Sequence, residues 1–482
     1  MNSYLFYDIE TTGLNAAFDQ ILQFAAIRTD MTLKEVDRYC IDIRLRPDVV
    51  PSPLAFLTHG IDATNDDSRI CEFEAVTDIH RLVNEPGTIN IGYNSLRFDD
   101  EFLRFSFYRN LLPPYTHQFD KGCSRMDLFP MVIIFCLYRP EVLEWPMVDG
   151  KLSLKLEHIN SANRLAKGPS HDAMSDAEAA CALARRLMSE KKMWDYLSGS
   201  FHKTTDVLRT DNIPPVFESA DGDHRHAVMV SGDFGTGSMF QAPVLSLGNS
   251  IPYTNQTLWL RLDLPELTHT SDDNIDDNTW VVRKKMGEPG ILLPPLPRYR
   301  EKLGEARWSL ALRNIEWLQS RPSLFREIVR FHRDFRYPPV PDLDADAALY
   351  EIGFFTKNDL NLCHRFHEGA IEERIRTLNR FPKKTLRELA LRILLRNYHR
   401  RLPDELLPRF QTLMEKAAPQ AEIHAMVDFR GNRRTTPRSA LDEINKLKPS
   451  VDTHQILSLE KLENDIATRF PEHFSRASHQ KG

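Results

Sequence analysis

The sequence predicts three parts in succession: an α/β domain over residues 1–191, a small β-rich domain over 192–341 and an all-α C-terminal domain over 342–482. Strand-like and helix-like patterns alternate up to about residue 190. Short β-like runs broken by glycine follow from about Val216, and helical patterning dominates beyond the proline cluster Tyr337-Pro338-Pro339-Val340-Pro341. A chain of 482 residues is too long for one core, which agrees with that division. Hydrophobic residues at 41% and charged residues at 27% are the proportions of an ordinary globular protein. No window approaches a membrane-spanning apolar run and no basic-then-apolar leader precedes the first strand, so the expected location is the cytoplasm. The net charge of −6 excludes a polycation wrapped on nucleic acid, and a polyanionic substrate would need local basic patches. The six cysteines lie far apart without a C-x-x-C pair, which argues for core thiols over a zinc site or a disulfide framework.

The first run, Tyr4-Leu5-Phe6-Tyr7-Asp8-Ile9-Glu10, reads as a buried strand that carries two carboxylates. Side chains two apart share a strand face, so Asp8 and Glu10 project together while Leu5, Tyr7 and Ile9 point the other way. Adjacent half-buried anions repel and take up protons unless a cation sits between them, and hard oxygen ligands suit Mg²⁺ or Mn²⁺. The plain alternative is an edge strand with two solvated acids. Residues 21–28 (ILQFAAIR) and 39–45 (YCIDIRL) continue as strands of a meander, and Pro47 and Pro51 stop it. Residues 73–84 space their apolar side chains as a helix, and INIGY at 89–93 is a further strand. Asp99-Asp100-Glu101 then opens a helix whose acidic first turn suits the positive end of its dipole. Ala177, Ala180, Cys181, Ala184 and Leu187 form one apolar helical stripe that ends the first domain.

In the second part, HAVMVSG, APVLSLG, LWLRLDL and TWVVRK read as strands of a small antiparallel barrel or sandwich. The lone G-x-G at Gly235 and Gly237 reads as a turn, because no strand-turn-helix context with a third glycine follows. Helical patterning resumes at Trp308. Residues 365–401 carry eleven Lys/Arg against four acids, a run that suits a solvated helical face, a path for a polyanion or an acidic partner.

Beyond Asp8 and Glu10, the acids and histidine that stand out are Asp99, after the fourth strand, and His171 with Asp176 in SHDAMSDAEAA. Clustered carboxylates can hold two divalent ions for phosphodiester cleavage, and a histidine with pKa ~6.5 can act as general base. The ordered set FYDIETTG, GYNSLRFDDE and SHDAMSDAEA resembles the DEDDh group of 3′→5′ exonucleases. Further stretches, FAAIRTD, FYRN, LKLEHI with SAN, and LYEIGFF, resemble the bacterial exodeoxyribonuclease I family within that group, over nearly the whole chain.

That resemblance implies Asp8, Glu10, Asp99, His171 and Asp176 as catalytic residues, with Asp99 chosen over Asp100. It also implies Asp8, Glu10 and Asp176 as ligands of two Mg²⁺ ions, which Mn²⁺ can replace. The implied architecture is a ribonuclease-H-like exonuclease domain, an SH3-like barrel domain and a helical domain that together clamp single-stranded DNA. Implied substrate contacts are Glu10, Lys155, Arg104, Tyr115, Phe119 and Arg125, a mixture of charge and aromatic faces that suits single strands. Lys155 stands where such enzymes have arginine, and Ile133 where a DNA-contacting arginine is expected, so those two contacts differ here. For Tyr115 and Phe119 the plain alternative is core packing. The implied partner, besides single-stranded DNA, is the acidic tail of single-stranded DNA-binding protein, received by the basic run or near Arg321, Arg326 and Arg330. A monomer is expected. The expected activity is processive release of 5′-mononucleotides in DNA repair and recombination. An exoribonuclease of the same superfamily and a non-catalytic repair adaptor are the competing readings. All five catalytic positions precede residue 177, so a fragment ending near Lys191 holds the full set, provided its core stands alone.

Overall fold

A computed structural model describes residues 2–62, 68–168 and 170–473. Strands β1 (Ser3–Thr11), β2 (Ile21–Thr29) and β3 (Glu35–Asp42) form the expected antiparallel meander, while β4 (Thr88–Gly92) and β5 (Ser124–Asp127) add in parallel beyond β1. The resulting order β3-β2-β1-β4-β5 puts β1 at the centre of the sheet. Period-two alternation sends Leu5, Tyr7 and Ile9 into one core with Phe73, Val76, Ile79 and Phe102, from the helices Glu72–Val83 and Asp99–Arg109. Tyr4 and Phe6 enter a second core on the other face, with the helices Leu128–Tyr138 and Ala173–Met188. Asp8 and Glu10 share that second face. The helix Ala173–Met188 lies against β1 and β2, and its Ala177, Ala180 and Ala184 are buried.

A short hairpin, β6 (Met147–Val148) and β7 (Lys151–Leu152), precedes the helix Leu156–Asn163. The β-rich part then contains β8 (Pro215–Ser219), β9 (Gly222–Val230), β10 (Gln241–Asn249), β11 (Gln256–Arg261), β12 (Val281–Lys285) and β13 (Ile291–Leu293). They form one antiparallel sheet in the order β12-β11-β10-β9-β13, with β8 beside the first half of β9. The helices Glu305–Gln319 and Pro322–Asp334 cover it through Leu245, Leu247, Leu258 and Leu260. Gly235, with φ 66°, sits between two short 3-10 turns, so the G-x-G is the turn that its sequence context indicates.

Helices from Lys357–Glu368 to Thr453–Arg469 make the C-terminal part. Neither neighbour packs loosely on the first part. Val228, Val230, Ile291 and Leu293 of the β-rich sheet share a core with Met131, Ile134 and Phe135, and Phe366, Leu386, Leu389 and Ile393 share the other with Phe73 and Ile79. Each such buried side chain contributes about 1.5–3 kcal/mol. A fragment ending near Lys191 would expose apolar side chains of both shared cores.

Two sequence expectations need correction. Within the basic run, Arg392 and Arg396 are buried, not on a solvated face or a DNA path: Arg396 bonds Asp48 at 2.7 Å, and Arg392 bonds Asp346 at 2.8 Å. Their periodicity explains it, since 392 and 396 fall in the same helical stripe as Leu389 and Ile393. Of the cysteines, Cys71, Cys123, Cys181 and Cys363 are core thiols, but Cys40 is exposed on β3 and Cys136 is half-buried.

Candidate active site

Asp8 and Glu10 stand near the end of β1, opposite Ala25 and Gln23 of β2, just before a bulge between Glu10 and Thr11. The loop after β4 is built around Asp127, whose buried carboxylate accepts the Asn94 amide at 2.8 Å, the Leu96 amide at 3.2 Å and the Phe129 amide at 2.9 Å. Burial raises that carboxyl to about 6 even though the amides oppose it.

The loop delivers three consecutive buried acids, which successive turns of the helix aim in different directions. Asp99 acts on Asp8, as the largest of the neighbouring charges that raise its carboxyl. Asp100 is held by Arg125 at 2.7 Å, His117 at 2.8 Å and Arg104 at 3.1 Å. Glu101 reaches the C-terminal part through Arg430 at 2.9 Å and Tyr350 at 3.1 Å. Burial alone would raise Asp100, but Arg125, Arg104 and His117 together hold it well below the usual carboxylate range. Asp100 is thus already neutralised within the fold.

From the far side, the helix Ala173–Met188, capped by Asp172 on the Ser175 amide, brings in Asp176. His171 precedes it with φ 62°, and its amide donates to the Asp176 carboxylate at 3.1 Å. Ligand atoms of Glu10, His171 and Asp176 all lie within 4.8 Å of one another. Asp8 is not one of that trio, but its charge acts on the same set. Burial raises Asp8 well above its ordinary value, and Asp99, Asp176, Glu10 and Asp172 raise it further. Burial, with Asp176 and Asp99 next, raises Glu10 to about 8; burial likewise raises Asp99 to about 8 and raises Asp176. Among the described residues, no lysine or arginine is paired with Asp8, Glu10 or Asp176. A donor set of hard carboxylate oxygens with one imidazole, uncompensated by protein cations, fits divalent ions.

Beside His171 and Asp176 opens a cavity of about 510 Å³, walled by Tyr93, Phe129, Lys155 and Glu157. Its remaining wall includes Thr236 and Phe240 from the β-rich part. The His171 Nε2 lies 3.2 Å from the Glu157 carboxylate.

The other sequence-derived positions fall as follows. Lys155 is 72% exposed, 3.4 Å from Glu157. Phe119 is 68% exposed, and half-buried Tyr115 meets the edge of Phe354 with ring centroids 6.1 Å apart. Arg104 and Arg125 are each 13% exposed and engaged with Asp100, so the charge expected for phosphates is largely neutralised within the fold. Ile133 is fully buried in the helix Leu128–Tyr138 and presents no surface. Sequence reasoning missed Glu157, which lies inside the quoted LKLEHI stretch, and missed the wall from the β-rich part, which no motif announces.

The exonuclease family RNase_T matches residues 5–184, the stretch that holds all five converging residues. Exodeoxyribonuclease I of Escherichia coli is 30% identical over 387 residues, covering 74% of this chain and 78% of that protein. The chain belongs to the exodeoxyribonuclease I family. It is thus an exodeoxyribonuclease, a phosphodiester hydrolase. The family member from Haemophilus influenzae is 28% identical over 391 residues, with the same coverage. Crystal structures of E. coli exonuclease I in complex with dT13 and dA16 oligonucleotides superpose with TM-scores of 0.83 and 0.82 at 25% identity, covering 97% of this chain and 100% of those. The likeness therefore includes the β-rich and helical parts. No helix among the described residues is long and apolar enough to cross a membrane.

Proposed function

We propose that the protein removes 5′-mononucleotides processively from the 3′ end of single-stranded DNA, in repair and recombination. The observation that carries this reading is the grouping of Glu10, His171 and Asp176 within 4.8 Å, with Asp8 and Asp99 coupled to it by charge and with His171 and Asp176 lining the cavity. The oligonucleotide complexes of E. coli exonuclease I support a single strand as substrate.

Asp8, Glu10 and Asp176 would hold two Mg²⁺ ions, or Mn²⁺ in their place, with Asp99 acting on the second. When bound, such ions supply Lewis acidity at the scissile phosphate. His171 removes the proton from the attacking water, and Glu157, 3.2 Å from its Nε2, stabilises the imidazolium that forms. Tyr93, Phe129 and Phe240 give the terminal nucleotide an apolar seat that excludes bulk water, and Lys155 offers charge to a phosphate at its rim. Phe119 and Tyr115 provide aromatic faces for bases further along the strand.

The division 1–191, 192–341 and 342–482 then describes one exonuclease part flanked by two that extend its grip. Exposed Arg321, Arg326 and Arg330 along the helix Pro322–Asp334 form the dock we assign to the acidic tail of single-stranded DNA-binding protein, with the enzyme acting as a monomer. Digestion of 5′-labelled DNA and RNA strands with Mg²⁺, then with a chelator, tests the reading. Shortening of the DNA that stops on chelation is expected, and preferential loss of RNA would instead make the protein an exoribonuclease.

A further inference from the structure

One wall of the cavity beside His171 comes from a segment of the β-rich part. Residues 231–240 leave β9, run across to the first part and return into β10, placing Thr236 and Phe240 on the cavity wall. The attachments of this segment are unequal. At its far end, Arg307 donates to the Ser238 carbonyl at 3.0 Å and Arg261 to the Ser238 hydroxyl at 3.2 Å, both from within the β-rich part. At its near end, Gly232 lies so close to Phe129 that a Cβ there would stand 2.6 Å from the ring. Phe240 meets the same ring edge-on, with centroids 6.3 Å apart. A further link is an ion pair between Asp233, braced by the Ser231 hydroxyl at 3.0 Å, and Arg97.

Arg97 lies two residues before Asp99, on the loop that Asp127 organises, so this pair ties the segment to the strand of chain that carries a site acid. Both partners are about two-fifths exposed, at 44% and 39%. A pair this exposed contributes little to folding, whereas Arg307 and Arg261 hold Ser238 from within the β-rich part.

We propose that residues 231–240 form a roof over the nucleotide seat and that Arg97–Asp233 is its latch, governing how long the strand end stays seated between cuts. This rests on the reading of the cavity as the seat of the terminal nucleotide. The latch contributes no group to the reacting atoms. Its role is positional, and it separates residence of the strand from the rate of the chemical step.

The test uses the full chain with Mg²⁺ and a 5′-labelled single strand, and compares Asp233→Arg, Arg97→Asp and the double swap with the unsubstituted chain. Two quantities are read: the run length after excess unlabelled strand is added, and the single-turnover rate of the first cut. Each single reversal should shorten the run by about twofold to fivefold, the range of a half-exposed ion pair, and leave the first cut within about twofold. The swap should restore the run, and high salt should erase the difference. Normal run lengths in both reversals would overturn the latch, as would a first-cut rate that falls in step with the run. Failure of the unsubstituted chain to cut from the 3′ end would overturn the reading beneath it as well, and so is distinguishable from failure of the latch alone.

Discussion

Replacing Glu10 by Gln removes a titratable carboxyl from a site where burial and neighbouring acids raise that group to about 8. An unfolded glutamate titrates near ~4.3. Between those values the folded, metal-free protein binds a proton that the unfolded chain does not, so stability is fully present below the lower value and falls as pH rises toward the upper one. The difference corresponds to a few kcal/mol once solvent screening of a half-buried group is allowed for, on the order of 2–4. Glu10→Gln does not titrate, so this contribution to the slope should vanish. The assay is a thermal melt in chelator from pH 5 to pH 9, for both proteins. The unsubstituted chain should be the steeper of the two, with Glu10→Gln gaining relative stability as pH rises, and Mg²⁺ should raise the melting temperature of the unsubstituted chain most at the alkaline end. Parallel pH curves with equal responses to Mg²⁺ would refute the argument, because Glu10 would then not be part of an uncompensated anionic cluster.

Asp8→Asn should abolish cleavage while single-strand binding stays within a few-fold, since the change removes a metal ligand and leaves the strand contacts alone; near-normal turnover in the purified variant would take Asp8 out of the site. His171→Ala should slow hydrolysis by roughly 10²–10⁴, with partial recovery at alkaline pH as hydroxide replaces the lost base. A defect that stays constant from neutral to alkaline pH would instead give the histidine a positioning role. Arg396→Met leaves Asp48 and Asp346 buried without their shared partner, and denaturant titration should report a loss of about 3–5 kcal/mol; a loss below about 1 kcal/mol would mean that Arg392 and Arg46 carry the network without it.

Much of the site was legible because its acids violate local expectation. Asp8 and Glu10 interrupt an apolar strand at a period of two, and the pleat alone puts them on one face. His171 and Asp176 are five residues apart at the start of a helix, close enough for the backbone amide of one to meet the carboxylate of the other. Asp99 and Asp100 are different, because both sit in the first turn of the same helix and both are buried. Arg104, one turn on in the same helix, and Arg125 and His117, brought in from two other stretches, distinguish them. Glu157 was not legible as a partner of His171, because an acid in the first turn of a helix is ordinary and its reach depends on how the hairpin before it is placed. The roof was not legible either. Gly232 and Asp233 look like turn residues, and their meaning arises from Phe129 and Arg97 more than a hundred positions away. Among the strands, β13 has only three residues and β8 is polar, so neither gave the alternation that marked β9 to β12.

Mass spectrometry of the products from end-blocked strands tests the central claim most directly. A strand whose 5′ end is blocked should be converted to 5′-mononucleotides in the presence of Mg²⁺, and a strand that ends in an inverted 3′ nucleotide should survive. Digestion of the 3′-blocked strand alone, or release of oligonucleotide fragments from either, would contradict the account.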